Sequence, residues 1–436
     1  IFDENSRISL SNNDNNSNNT VFGYTAFNAG SDNGSDYNTI IGHNSAGTGS
    51  VSGATYNVGL GYNSLTDLTS ADYNVALGSN AASNITTGGS NVAIGQGALF
   101  TPTTAASNVV IGQEAMADIQ AGQAITGCVA VGFEAIKGAG GTTTGIDGSV
   151  AVGNQALKAL TTGAGNVAIG YQALLEETTG AQNIAIGYGT MNDTGSIVGS
   201  GNNIAIGHTA MDGTWASATS NKNIAIGTRT MRGVMNDATG NTCLGYETGK
   251  AITTADDNVL IGNEAGHDIT TGTDNVLVGT GAGDKITTAK ECVFIGSAAG
   301  DAVTTTGGSN ISDGTVAVGA YALSSLTSGT SNIAIGIQAA DALTTGGYNI
   351  AIGKNALGGS QDGDYNTAVG YQSLLVYEGG DGEGYHTALG HNAGAAVSTG
   401  DKNTLIGALA GYTGSNNIAG GSENTLVGYN TQISGA

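Results

Sequence analysis

Proline is almost missing from this chain: Pro102 is the only one among 436 residues. Disordered low-complexity segments tend to be rich in both proline and glycine and poor in aliphatics. Here glycine reaches 75 residues while apolar types still make up 39%, so the composition argues for order. Positive charge is scarce too, with 11 Lys and Arg against 34 Asp and Glu and a formal net charge of −23. A surface of that sign repels phosphates and anionic headgroups, which disfavours nucleic acid and anionic membranes as partners. It also keeps a long particle soluble. No apolar run reaches the roughly 18 residues a membrane span needs, so no membrane insertion is expected. No basic-then-apolar leader is visible, and the first residue is Ile1 rather than Met, as in a processed or partial product.

Residues that carry chemistry are equally thin. Cys128, Cys243 and Cys292 match no zinc or redox spacing and read as small buried apolar residues. The five histidines, His43, His208, His267, His386 and His391, include no pair at metal-ligand spacing and none with carboxylates arranged around it, so no metal site is expected. No serine or threonine lies in a nucleophile elbow. The Gly138–Gly141 tract lacks the Lys-Ser/Thr and the following helix of a phosphate loop. The acidic tract Asp381 to Glu383 lacks the tandem Gly-Gly-x-Gly-x-Asp of calcium-binding β-rolls and reads as a solvated turn. Neither a catalytic residue nor a cofactor is nominated, and the expectation is a protein that is not an enzyme.

What the chain has instead is repetition. Asn166-Val167-Ala168-Ile169-Gly170 returns as Asn183 to Gly187 and as Asn349 to Gly353, in 23 copies between Asn19 and Gly428. Twelve of the 22 intervals are 17 residues and the rest run from 18 to 23. A unit this short cannot bury its own apolar face, so copies must stack into a solenoid. Counting the Asn as first, the second position is Val, Ile or Thr in every copy, a β-strand signature. The fourth is Ile, Leu or Val, with Phe22 once. Second and fourth positions share a strand face and are expected to point inward.

The third position would then face outward, although it is never hydrophilic: Ala93, Ala168 and Ala351, with Leu260, Leu277 and Phe294 in one stretch. A strand apolar on both faces is covered on both, so these six are expected to form an inter-chain seam. The fifth position is always Gly, as at Gly95, Gly170, Gly187 and Gly353, and is expected to be a corner where φ is positive or backbones approach closely. The leading amides, Asn91, Asn166, Asn183 and Asn349 among them, are expected to stack as a ladder, interrupted where Cys128, Ser149, Cys292, Thr315 or His386 stands in their place. The eighth position is always Ala, Ser or Thr and the ninth often Leu, Met or Gly, a second packed segment after the corner. At about 4.8 Å per coil the stack would be a rod roughly 110 Å long.

Intervals above 17 predict loops pushed out of the coil, carrying Gly140 to Thr144, Trp215, Thr304 to Asn310, and Tyr377 with the acidic tract after it. Such loops in solenoids serve binding or are plain decoration. Tyrosine clusters at the sixth position (Tyr24, Tyr62, Tyr171, Tyr188, Tyr246, Tyr371, Tyr429) and just before the first (Tyr37, Tyr56, Tyr73, Tyr348, Tyr365, Tyr385). Rings there either stack on sugars or cover the coil's corners, the second being the simpler role.

The phrase Asn-Val-Ala-Ile-Gly followed by Ala-Leu resembles the head repeats of YadA-type trimeric autotransporter adhesins. It resembles more closely the repeat regions of phage tail fibres that carry a C-terminal endosialidase-type intramolecular chaperone, and the opening Ile1–Asp14 is similar to the entry segment of marine phage proteins of that kind. The resemblance implies a left-handed parallel β-roll, three chains side by side, serving as an extracellular shaft or adhesin on a virion or cell surface. Two departures stand out: the 17-residue interval exceeds that of the adhesin head, and the chain reaches Ala436 on a repeat, so a chaperone is expected to be cleaved off or to lie outside this segment.

The expectation is therefore an all-β chain, an entry segment at 1–18 followed by a continuous parallel β-solenoid at 19–436 of about 23 coils, assembled as a side-by-side homotrimer. Its expected role is a structural or adhesive fibre with a surface glycan or other receptor as partner. Two alternatives are a self-contained solenoid binding ice, mineral or glycan, and a polysaccharide-degrading tailspike whose carboxylates come from distant coils. An ice face would need a regular threonine array, and Thr-Thr-Gly segments such as Thr86–Gly88 and Thr344–Gly346 coincide with turns of variable length.

Overall fold

The computed structural model describes residues 18–27, 34–140, 142–193, 199–215, 219–303, 313–378, 384–412 and 418–433. The entry segment up to residue 17, Gly141, Thr304 to Asn310 and Asp381 to Glu383 lie outside them. The chain divides into two compact units, Ile1–Asn221 and Lys222–Ala436. Each is a parallel β-solenoid, with no helix among the described residues. The first unit runs from β1 (Thr20–Phe22) to β11 (Ile204–Ile206), and the second from β12 (Ile224–Ile226) to β23 (Thr425–Val427).

Each repeat contributes one three-residue strand, its second to fourth positions. Successive strands pair in parallel with equal positions aligned: β5 (Val92–Ile94) meets β6 (Val109–Ile111) as Val92↔Val109, Ala93↔Val110 and Ile94↔Ile111. In the second unit β15 (Val276–Val278) meets β16 (Val293–Ile295) as Val276↔Val293 and Leu277↔Phe294. Equal residues therefore stack on equal residues, which is why a short phrase specifies the whole sheet.

The inward face is the opposite of the one expected. Ala93, Ala168, Leu260, Leu277, Phe294 and Ala351 are all buried within one chain, while the second and fourth positions are half-buried or exposed. The third position is core and not an inter-chain seam. The reason is width. A strand of three residues between two corners leaves one inward side chain per coil, and the interior is filled from across it by the eighth and ninth positions, such as Ala98 and Leu99. The β-branched residues sit on the pleated outer surface, where they pack on their own copies along the sheet.

The corner glycines meet two conditions at once. Gly95 has φ +129° and Gly353 has φ +134°; a Cβ on Gly95 would stand 2.6 Å from the Gly112 carbonyl oxygen, and one on Gly353 2.5 Å from that of Gly370. Gly170 and Gly187 are held in the same way against Gly187 and Gly207.

Two residues placed in protruding loops turn inward instead. Trp215 and Tyr377 are both buried. Tyr377 donates to Asp401 Oδ1 at 3.3 Å, and its ring meets His386 edge-on with centroids 4.5 Å apart. A coil lengthened beyond 17 residues encloses more space, and a large ring fills it.

Candidate functional site: the outer strand face and its polar flanks

With the third position buried, each unit presents outward two aliphatic stripes from the second and fourth positions. Leu60, Val152 and Ile169 are exposed in the first unit, and Leu244, Ile295, Ile335, Ile352 and Leu389 in the second. Exposed large aliphatics in single positions are ordinary, but stripes aligned along a sheet form a contiguous apolar surface. Along the last four strands the second position becomes Thr367, Thr387, Thr404 and Thr425, so one of the stripes turns polar there.

Beside the strand face run the leading residues, buried at its edge. The Asn91 side chain donates from Nδ2 to the Ala105 carbonyl at 2.7 Å and to Asn74 Oδ1 at 2.9 Å. Its own Oδ1 accepts the Asn108 N–H at 3.1 Å. Asn183 N–H donates to Asn166 Oδ1 at 2.9 Å, and Asn349 N–H to Asn332 Oδ1 likewise at 2.9 Å. The amides thus bind backbone as much as each other, pinning every coil to the next. At the interruptions, Ser149 Oγ, Thr315 Oγ1 and His386 Nε2 are buried with no hydrogen-bond partner. His386 Nδ1 does accept the Asn403 N–H at 3.2 Å, imitating the amide oxygen. Burial lowers the His386 pKa, against the opposing pull of Asp401. The three cysteines are buried and form no disulfide, and burial pushes the Cys128 thiol up to about 11 and that of Cys292 to about 12. They are inert packing groups.

The tyrosines flank the strand face and are exposed. Tyr37, Tyr56 and Tyr73 stack with centroids 4.9 and 5.1 Å apart and planes within 3°, and Tyr348, Tyr365 and Tyr385 repeat the arrangement at 5.1 Å. At the sixth position Tyr188 stacks between Tyr171 and His208, His43 lies between Tyr24 and Tyr62, and His391 lies on Tyr371. The stacked rings thus spend faces on each other, which weakens a sugar-stacking role for them. All six tyrosines preceding the leading residue have positive φ, from 49° for Tyr385 to 63° for Tyr37. That conformation costs a side chain roughly 1–2 kcal/mol, which ring stacking worth about 0.5–1.5 kcal/mol offsets. The first hydroxyl of each threonine pair is also spent internally: Thr86 Oγ1 donates to the Thr103 carbonyl, Thr161 to Thr178 and Thr344 to Gln361.

Charge concentrates at the seventh, tenth and eleventh positions of a few coils. In the first unit Glu134 takes Lys137, Lys158 and Gln155, and Lys137 also reaches Glu114 at 2.6 Å. Burial pushes the Glu134 carboxyl up, but these donors outweigh it and hold the pKa at about 2. Glu114 and Lys137 also line a cavity of about 300 Å³ with Phe100 and Asp118. In the second unit carboxylates do surround a histidine, contrary to expectation. His267 Nδ1 is 2.5 Å from Asp268 Oδ1 and 3.9 Å from Asp284 Oδ1, while its Nε2 is 3.4 Å from Glu247 Oε2. The sequence signal was present: Asp284 follows His267 by 17 residues, one coil, so spacing along the chain had to be read modulo the repeat.

Comparison of the chain with family models, with curated proteins and with solved structures finds no match.

Proposed function

We propose that this chain is a structural or adhesive fibre shaft, tail-fibre-like, displayed outside the cell or on a virion and assembled from three copies side by side. What carries the reading is the outward apolar surface, the fourth position of every strand and the second position of most, where a self-sufficient solenoid would place polar groups. Burying such a surface contributes about 25 cal/mol per Å² of apolar area removed from water. The seam thus moves from the third position to the second and fourth, with Ile169, Ile295 and Ile352 at its centre. A ladder-pinned coil with buried amides supplies the stiffness a shaft needs. The resemblance to tail-fibre and adhesin repeats supports the same reading, as does the net charge of −23, which keeps assembled particles apart.

The test is the native mass by light scattering, for the chain and for the double variant Ile169→Asp/Ile352→Asp. Three chain masses for the parent, falling to one in the variant with the β circular dichroism kept, is the expected result. A parent that is monomeric would sink the proposal.

A further inference from the structure

We propose that His267, Asp268 and Asp284 form a site for a divalent transition cation of the zinc class, apart from the outer strand face. Their donor atoms, one from each residue, lie within 4.8 Å of one another and all three residues are half-buried. Imidazole nitrogen with two carboxylate oxygens is a donor set that zinc accepts, with further positions open to water.

The surroundings prepare the imidazole for this. Asp268 Oδ1 lies 2.5 Å from Nδ1 and Glu247 Oε2 lies 3.4 Å from Nε2, so both ring nitrogens face carboxylates, and a cation on Nδ1 would take the place of the hydrogen bond to Asp268. A carboxylate on the far nitrogen is the usual outer partner of a metal-bound histidine. Glu247 is itself fixed by Arg229 at 2.6 Å and Lys250 at 3.0 Å. On the other side Lys285 Nζ holds the outer oxygens, Asp284 Oδ2 at 2.5 Å and Asp268 Oδ2 at 3.7 Å, which leaves both Oδ1 atoms turned to Nδ1.

Charge points the same way. Arg229 and Lys250 are committed to Glu247, so the Nδ1 side sets Lys285 alone against Asp268, Asp284 and Asp301. Over the whole cluster Arg229, Lys250 and Lys285 set three positive charges against Glu247, Asp268, Asp284 and Asp301, and the one negative charge left over favours a cation. The equivalent coils of the first unit have Lys137 and Lys158 in the tenth position and no histidine, so their acids are already paired.

The test is titration of the full chain with zinc alone and with cobalt alone, reading heat and the visible spectrum of cobalt. The expected result is one tight equivalent per chain with a cobalt spectrum of low coordination number. His267→Gln and Asp284→Asn should each abolish it, and Glu247→Gln should weaken it by roughly tenfold to a hundredfold. Unchanged circular dichroism in these variants would show that the coil survives. Absence of a tight equivalent in the parent, a stoichiometry untouched by His267→Gln, or preference for calcium over zinc would each overturn the assignment.

Discussion

The coils of β9 (Val167–Ile169) and β10 (Ile184–Ile186) and those of β14 (Val259–Ile261), β15 and β16 enclose similar interiors with opposite residue choices. In the first group a small third residue is matched by a large ninth one: Ala168 with Leu174, Ala185 with Met191, all buried. In the second the third residue is large and the ninth is glycine: Leu260 with Gly266, Leu277 with Gly283, Phe294 with Gly300. The space is the same space. A Cβ on Gly283 would stand 3.0 Å from Leu277 and 3.1 Å from Phe294, and one on Gly300 would stand 2.5 Å from Cδ2 of the Phe294 ring. The ninth position has positive φ in both groups, 51° at Leu174 and 58° at Gly283. Leucine there bears backbone strain that glycine avoids. The second group gives up one ladder amide, at Cys292, but is relaxed at the ninth position, and the first keeps its amides and bears the strain. What is conserved from coil to coil is total volume inside, not the residue at any one place.

The sharpest way to break the comparison is Phe294→Ala, because Gly300 cannot replace the lost ring. A loss of about 3–5 kcal/mol is expected. Stacked repeats open locally, so it should appear in hydrogen exchange of the Val293–Ile295 amides before any change in a global melt. Next comes Leu174→Gly in the other group, costing about 2–5 kcal/mol through its cavity. Adding Ala168→Leu converts that coil to the pattern of Leu260 and Gly266, and the double variant should return to within about 1.5 kcal/mol of the parent. If the double is no better than the single, volume exchange between the two positions is not how the core is filled.

Much of this was legible before the structure. The period, the strand at the second to fourth positions and the invariant corner glycine follow from stacking equal residues on equal residues. The facing of the strand was not, because large aliphatics at the second and fourth positions outweighed a small third residue in the reading. The cue lay in Thr20, Thr39, Thr242 and Thr367: the second position tolerates a hydroxyl and the third never does. The exchange between third and ninth positions was also visible, since each of Leu260, Leu277 and Phe294 is followed six residues later by glycine. The His267 cluster was hidden for a different reason. Its partners Glu247 and Asp284 sit in the coils on either side, and only stacking makes them neighbours.

The ladder sharpens the comparison further. Asn183→Leu in the first group keeps apolar volume but deletes the oxygen that accepts the Asn203 N–H at 3.1 Å. One buried backbone donor left unpaired costs about 1–3 kcal/mol. Faster exchange confined to the Asn203 amide and its neighbours would be its signature, and an unchanged rate would mean the ladder is ornamental.

The smallest expected effect has the opposite sign. Thr315 leads the coil of β17 (Val316–Val318), next to the second group, where an amide stands elsewhere, and its buried Oγ1 has no partner. In Thr315→Asn an amide oxygen would face the N–H of Asn332 one coil on, as Asn332 Oδ1 faces Asn349 N–H at 2.9 Å. A net gain of about 0.5–1.5 kcal/mol is expected from one such bond. The same replacement at Ser149 should help the first unit, where Asn183 already donates to Asn166 in the following pair. Stabilisation at both positions would mean that the interruptions are tolerated defects. Stabilisation at Ser149 but not at Thr315 would mean that the bulky Phe294 coil has displaced the strand edge and left no room for the amide, tying the ladder break to the change in core.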